Sequence, residues 1–185
     1  MRASGRGVPR LVAFACTVAV ATGCSKGGGQ PAQAEKPLVG GLGKRLAAGP
    51  VADLKLTKDG AHATFLRNPK RPAIQGVSPL MVLGELGLVS LKDDTVRFIG
   101  QGVSNRPGSV LFSPDSSWLF FVDGFNAASE SGVLRTLRLG QAGEPEQRGR
   151  AVSFVTISPT GKTFAFVDGG VLRVASLEPG STARA

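Results

Sequence analysis

The stretch "VLFSPDSSWLFFVDG", residues 110–124, returns as "VTISPTGKTFAFVDG" at residues 155–169, 45 positions later. In each copy a short apolar run meets Ser-Pro, a polar turn follows, and a second apolar run ends at Asp-Gly. Pro114 fixes φ for the turn while Ser113 and Asp115 can bond local backbone amides, so the stretch predicts a β-hairpin. "LKLTKDGAHATFLRN" (54–68) is a weaker third copy. Thr57 stands for Ser113 and Ser158, Asp59 for Asp115, Gly60 for Ser116 and Gly161, and Phe65 for Phe121 and Phe166.

A second echo follows each hairpin: "GELGLVSL" (84–91), "GVLRTLRL" (132–139) and "GVLRVASL" (170–177), all with Gly first, Leu third and Leu eighth. The unit is thus a hairpin, a loop and a third strand opened by Gly. "TVRFIG" (95–100) and, more faintly, "QRGRAV" (147–152) suggest a fourth strand. The loop before the third strand is long and Pro-rich in the first unit, shorter in the second and almost absent in the third, and insertions at one fixed place in a repeat lie on one face. On the second strand Leu119, Phe121 and Asp123 alternate with Phe120 and Val122. Apolar side chains therefore point both ways, as in a sheet covered on both faces, and the four phenylalanines Phe120, Phe121, Phe164 and Phe166 are expected in a core between sheets.

Four short strands per unit of about 45 residues are the pattern of propeller blades. The expected fold is all-β, a partial or complete β-propeller of four-stranded antiparallel blades with three recognisable units; a β-sandwich or an open stack of sheets is the alternative. The units run at about 51–103, 104–152 and 153–180 of a domain spanning 51–185. "FSPDSSWLFF" resembles the blade hairpin of the TolB-like or WD-repeat-like β-propellers of bacterial envelope proteins. "ISPTGKTFAF" keeps Ser, Pro, Gly and Lys of that pattern, and "LTKDGAHATF" keeps Asp and Gly. The resemblance implies a blade type and says almost nothing about a ligand. Propellers close with four to eight blades, so three units imply a partial ring, self-association that completes it, or a fragment.

The beginning of the chain has a different character. Arg2, Arg6 and Arg10 precede the apolar run "LVAFACTVAVAT" (11–22), which is of signal-peptide length and too short to span a bilayer as a helix. "VATGC" resembles the lipobox of bacterial lipoproteins, which implies a signal peptide over 1–23 and lipid attachment at Cys24. Ser25 after the Cys is not the Asp that holds lipoproteins in the inner membrane, so the resemblance implies the periplasmic face of the outer membrane. "SKGGGQPAQAEKP" (25–37) cannot build a core, and 24–50 is expected to carry the lipidated Cys and a flexible tether. The Leu and Val of 38–50 could instead add a strand to the domain.

Composition limits the chemistry. Hydrophobic residues are 42% of 185 and Gly numbers 26, about twice the usual share of roughly 7%. One His and two Cys, one of them the expected lipid attachment site, argue against a zinc or copper centre. There is no G-x-S-x-G elbow, P-loop or H-E-x-x-H. His62 is expected as a strand residue, and Asp123 and Asp168, each before a Gly, as turn formers. No catalytic residue, cofactor or metal site is assigned, and the chain is not expected to be an enzyme. Without the three Arg of 1–23 the balance is 19 basic to 13 acidic residues. Arg67, Lys70 and Arg71 are expected to cluster in the long first loop and Arg135, Arg138, Arg148 and Arg150 around the second unit. They predict a solvated basic face or contact with an acidic envelope surface or partner, and in an exported protein no nucleic acid. The expected function is a lipid-anchored module that binds an envelope component through loops on one face. The alternatives are an accessory or gating propeller of a hydrolase whose catalytic part lies outside this chain, or a truncated non-functional fragment.

Overall fold

The computed structural model describes residues 45–177 and residue 184. Among these there are ten strands and no helix. β1 (Val51–Leu56), β2 (His62–Lys70), β3 (Leu83–Ser90) and β4 (Thr95–Ser104) form an antiparallel sheet in chain order. β5 (Val110–Phe112), β6 (Trp118–Asn126), β7 (Ser131–Arg138), β8 (Glu146–Ile157), β9 (Thr163–Asp168) and β10 (Val171–Ser176) form a second. The lipidation site expected at Cys24, the apolar run and most of the tether lie outside the described residues. Residues 45–50 carry no strand, and Leu46 and Ala47 pack against Ala63, Phe65 and Val89 of the first sheet.

The three corners are built alike, bond for bond. Thr57, Ser113 and Ser158 each donate a backbone N–H across the hairpin, to the carbonyls of His62, Trp118 and Thr163. Their hydroxyls accept in return from the amides of those same three residues, at 2.9, 2.9 and 3.2 Å. Within each turn the amide of Gly60, Ser116 or Gly161 donates back to the first residue's carbonyl. These three residues have φ of +71°, +60° and +70°, the left-handed region that glycine enters without strain. Leu91, Leu139 and Leu177, the eighth residues of the third-strand echo, each donate to the carbonyl of a corner residue in their own repeat: Ala61, Ser117 and Lys162.

The structure departs from separate four-stranded blades in two ways: the third repeat has three described strands, the second half of β8, β9 and β10, and its first strand is shared with the second repeat. β8 pairs with β7 through its first half and with β9 through its second, and Val152 faces both Gly132 and Asp168. One strand therefore closes the second repeat and opens the third. The sequence explains why: "RAVSFVTI" (150–157) has no residue that ends a strand, whereas "NRPG" (105–108) between β4 and β5 has a Pro without an N–H and a Gly at φ +85°.

Alternation along β6 sends its aromatics both ways. Leu119 and Phe121 meet Leu66, Leu86, Leu88 and Val103 of the first repeat. Phe120 and Val122 meet Phe164, Phe166 and Val155 of the third, with Phe120 edge-on to Phe164 at 5.0 Å. All four phenylalanines expected in this core are fully buried, each worth about 1.5–3 kcal/mol relative to exposure. The architecture is that of a partial β-propeller whose described blades do not close a ring.

Candidate functional site

Antiparallel pairing puts the β2–β3, β4–β5 and β6–β7 connections at one end of the sheets and the corners between β1 and β2 and between β5 and β6 at the other; the third corner joins them there because β8 changes course at its register shift after Val152, which brings Gly161 against Pro114 and Asp115. Contacts between repeats fix both ends. At the corner end the Asp59 amide donates to Ser116 Oγ at 3.3 Å, and Gly161 lies against Pro114 and Asp115. At the loop end the Gln101 amide donates to Asp123 Oδ1 at 2.7 Å.

The long connection 71–82, the largest of the insertions, is held down at its far end. Met81 is buried among the core residues of the second and third repeats. Asn105 grips the neighbouring backbone: its Oδ1 accepts from the Val82 amide at 3.0 Å, its Nδ2 donates to the Leu80 carbonyl at 3.0 Å, and its own amide donates to the Val82 carbonyl at 3.1 Å. Beside the start of this loop lies an open cavity of about 360 Å³, with Asn68, Lys70, Arg71, Glu85 and Gln101 on its wall. Lys70 and Arg71 are exposed there. Arg67 is already engaged, donating to Glu85 Oε2 at 2.6 Å and stacking 3.5 Å from the centroid of Phe98. A further cation at this end, Arg106, lies 3.4 Å from Glu130 and within 6 Å of the Phe125 and Phe154 rings.

The basic residues singled out in the sequence form no single face: Arg138 and Arg148 share the wall of a second cavity of about 180 Å³, and Arg67 and Lys70 stand on β2 rather than in the loop. Lys70 and Arg71 line the loop-end cavity, but Arg135 is bound to Asp123 at 2.8 Å, Arg148 to Glu146 at 2.8 Å, and Arg138 lies 6.0 Å from the Trp118 ring. The Arg150 amide donates to Asp168 Oδ1 at 3.2 Å. Asp123 and Asp168 are not turn formers of the ordinary kind. Each carboxylate reaches the fourth strand of the preceding repeat, Asp123 at the Gln101 amide and Asp168 at the Arg150 and Ala151 amides. The other oxygen faces an arginine on its own third strand, Arg135 or Arg173. These are clamps between repeats. They had a sequence signal, since Arg135 and Arg173 occupy the same fourth position of the "GVLR" echo. Asn105 and Met81 had none, because their partners are set by the path of a loop.

Chemically the loop end offers cations, amides and aromatic surface. His62 opens β2 at the opposite end, taking its amide to Thr57 Oγ1. Among the described residues no three His, Cys, Asp or Glu side chains stand close enough to hold a metal ion. The carboxylates held below the usual range are Asp59, through the Thr57 hydroxyl and the Ala61 amide, Asp93, through the hydroxyls of Ser90 and Thr95, and Asp115, through those of Ser113 and Ser117. None of the three lines the loop-end cavity.

No family model matches the chain, and no curated protein matches it at a significant level. Among solved structures, TolB from Acinetobacter baumannii is similar over 71% of this chain and 30% of its own length, at 17% identity and a TM-score of 0.40. Hydrazine synthase of Kuenenia stuttgartiensis is similar over 71% of this chain and 36% of its own, at 15% identity and a TM-score of 0.39. The chain thus spans about a third of the length of these structures.

Proposed function

We infer that the chain is an exported, lipid-anchored display module that binds another envelope component through its loop end, without catalysing a reaction. Cys24 would carry the lipid, the residues after it would set the reach of the domain at about 5–6 Å times the square root of the linker length, and the blades would hold the loops rigid. One observation carries the binding half of this reading. The long 71–82 connection is fastened by Met81 and Asn105 while Lys70 and Arg71 at its other end stay exposed beside an open cavity. A pre-ordered loop loses little conformational entropy when a partner docks, so a few exposed cations suffice to select an acidic surface.

The anchor is tested by labelling cells with radioactive palmitate, expecting incorporation into the wild type and none into Cys24→Ala. The loop end is tested in cells with a photo-crosslinking side chain at position 71 or, at the corner end, at position 58. Adducts at 71 that disappear in Lys70→Glu and with added salt support the assignment; equal adducts at both ends, or none, end it.

A further inference from the structure

Within this chain the same junction between repeats is made twice. A face of the first repeat carrying Leu66, Leu86 and Leu88 packs on Val110, Leu119 and Phe121 of the second. The equivalent face of the second, carrying Phe120, Val122 and Leu134, packs on Val155, Phe164 and Phe166 of the third. Strand register carries both halves of the pattern to the outer faces of the described repeats. On the third repeat Phe154, Val167 and Leu172 lie side by side across β8, β9 and β10, in the places of Ser109, Val122 and Leu134 of the second. Leu134 is wholly buried; Leu172 is 63% exposed and Phe154 57%. On the first repeat the opposite face presents Leu54 and Leu56, in the places of Val110 and Phe112. Leu54 is 70% exposed where Val110 is 1%. It borders an apolar groove of about 430 Å³ walled by Leu46, Ala47, Phe65, Val89 and Leu91.

We propose that this groove on the first repeat is the docking site for the free face of the third repeat of a second copy of the chain. The occupant follows from continuity: the exposed face has the composition and register of two faces that the molecule already packs against the groove's own equivalents. The contact joins two different surfaces, so it closes only if the rotation returns to the start. Two copies, each supplying three described repeats, give six blades, inside the range of four to eight in which propellers close. The contact is apolar without the carboxylate clamp, because the first repeat has Arg67, paired with Glu85, where the others have Asp123 and Asp168. It is accordingly weaker than the internal junctions and reversible. This inference does not depend on the loop-end binding function.

The test is sedimentation velocity of the full chain in detergent across a range of concentrations. The expected result is twice the chain mass at high concentration, falling to the monomer in Leu172→Asp and in Leu54→Asp, with the dimer unchanged in Leu80→Asp, which alters an exposed residue of the loop. Circular dichroism shows whether each variant keeps its β spectrum. Mixing Leu172→Asp with Leu54→Asp leaves one unaltered junction per pair and restores part of the dimer. A monomer at every concentration overturns the proposal, as does a dimer that survives both substitutions or one that mixing fails to restore. If either Asp variant loses its β spectrum, Leu172→Ser and Leu54→Ser take its place with the same required outcomes.

Discussion

Ser116 takes φ +60° at a corner position where the other two repeats use glycine, and its hydroxyl accepts the Asp59 amide of the preceding repeat. A side chain is tolerated there in one copy; at Gly161 a Cβ would lie 3.5 Å from Pro114 Cδ. Gly161→Ala is therefore expected to cost about 1–2 kcal/mol, the penalty of an L-residue in the left-handed region, read as a lowered urea midpoint. Acid acts on the same corners. The Ser113 and Ser117 hydroxyls stabilise the charged form of Asp115, so its folded pKa lies below the unfolded one. The stabilisation is complete above about pH 4, where the unfolded carboxyl is also ionised, and is lost as pH falls through the folded value. The urea midpoint of the wild type should fall more steeply below that point than that of Asp115→Asn. The third corner, with Thr160 in that place, contributes nothing to the effect.

Strands and their pairings were largely legible, because the corner motif states where each hairpin turns and alternating apolar residues state that both faces are covered. Two features of the elements were not. The shared strand β8 escaped because its signal is a missing turn: a repeat period of about 45 invites a boundary near 152 whether or not a residue there can break a strand. The clamps escaped because Asp before Gly is also the signature of a turn, and only the distant Arg135 and Arg173 tell the two apart. Asp123→Ala strips the Gln101 amide of its acceptor and Arg135 of its counter-ion. A loss of about 1–3 kcal/mol is expected, with a double-mutant cycle against Arg135→Ala returning a coupling between them. The loop-end site was legible only as a place, an insertion at a fixed point of the repeat. Which cations remain there depends on ion pairs that link residues distant in sequence.

For the molecule as a whole, the second and third repeats share a strand while the first is joined to them by a five-residue link, 105–109. Hydrogen exchange should therefore find the amides of β6 to β9 opening as one cooperative unit, with β2 and β3 opening at a different free energy. Separate opening of the second and third repeats would contradict the continuity of β8. Met81 is the exception to this division of labour, a first-repeat side chain serving as a cork in the core of its neighbours. Met81→Ala is expected to lower stability by about 2–5 kcal/mol, with the loss read in the exchange of β6 and β9. The cork also binds neighbours that the chain joins only by a short link: pulled out, it would loosen a sheet to which its own repeat contributes no strand.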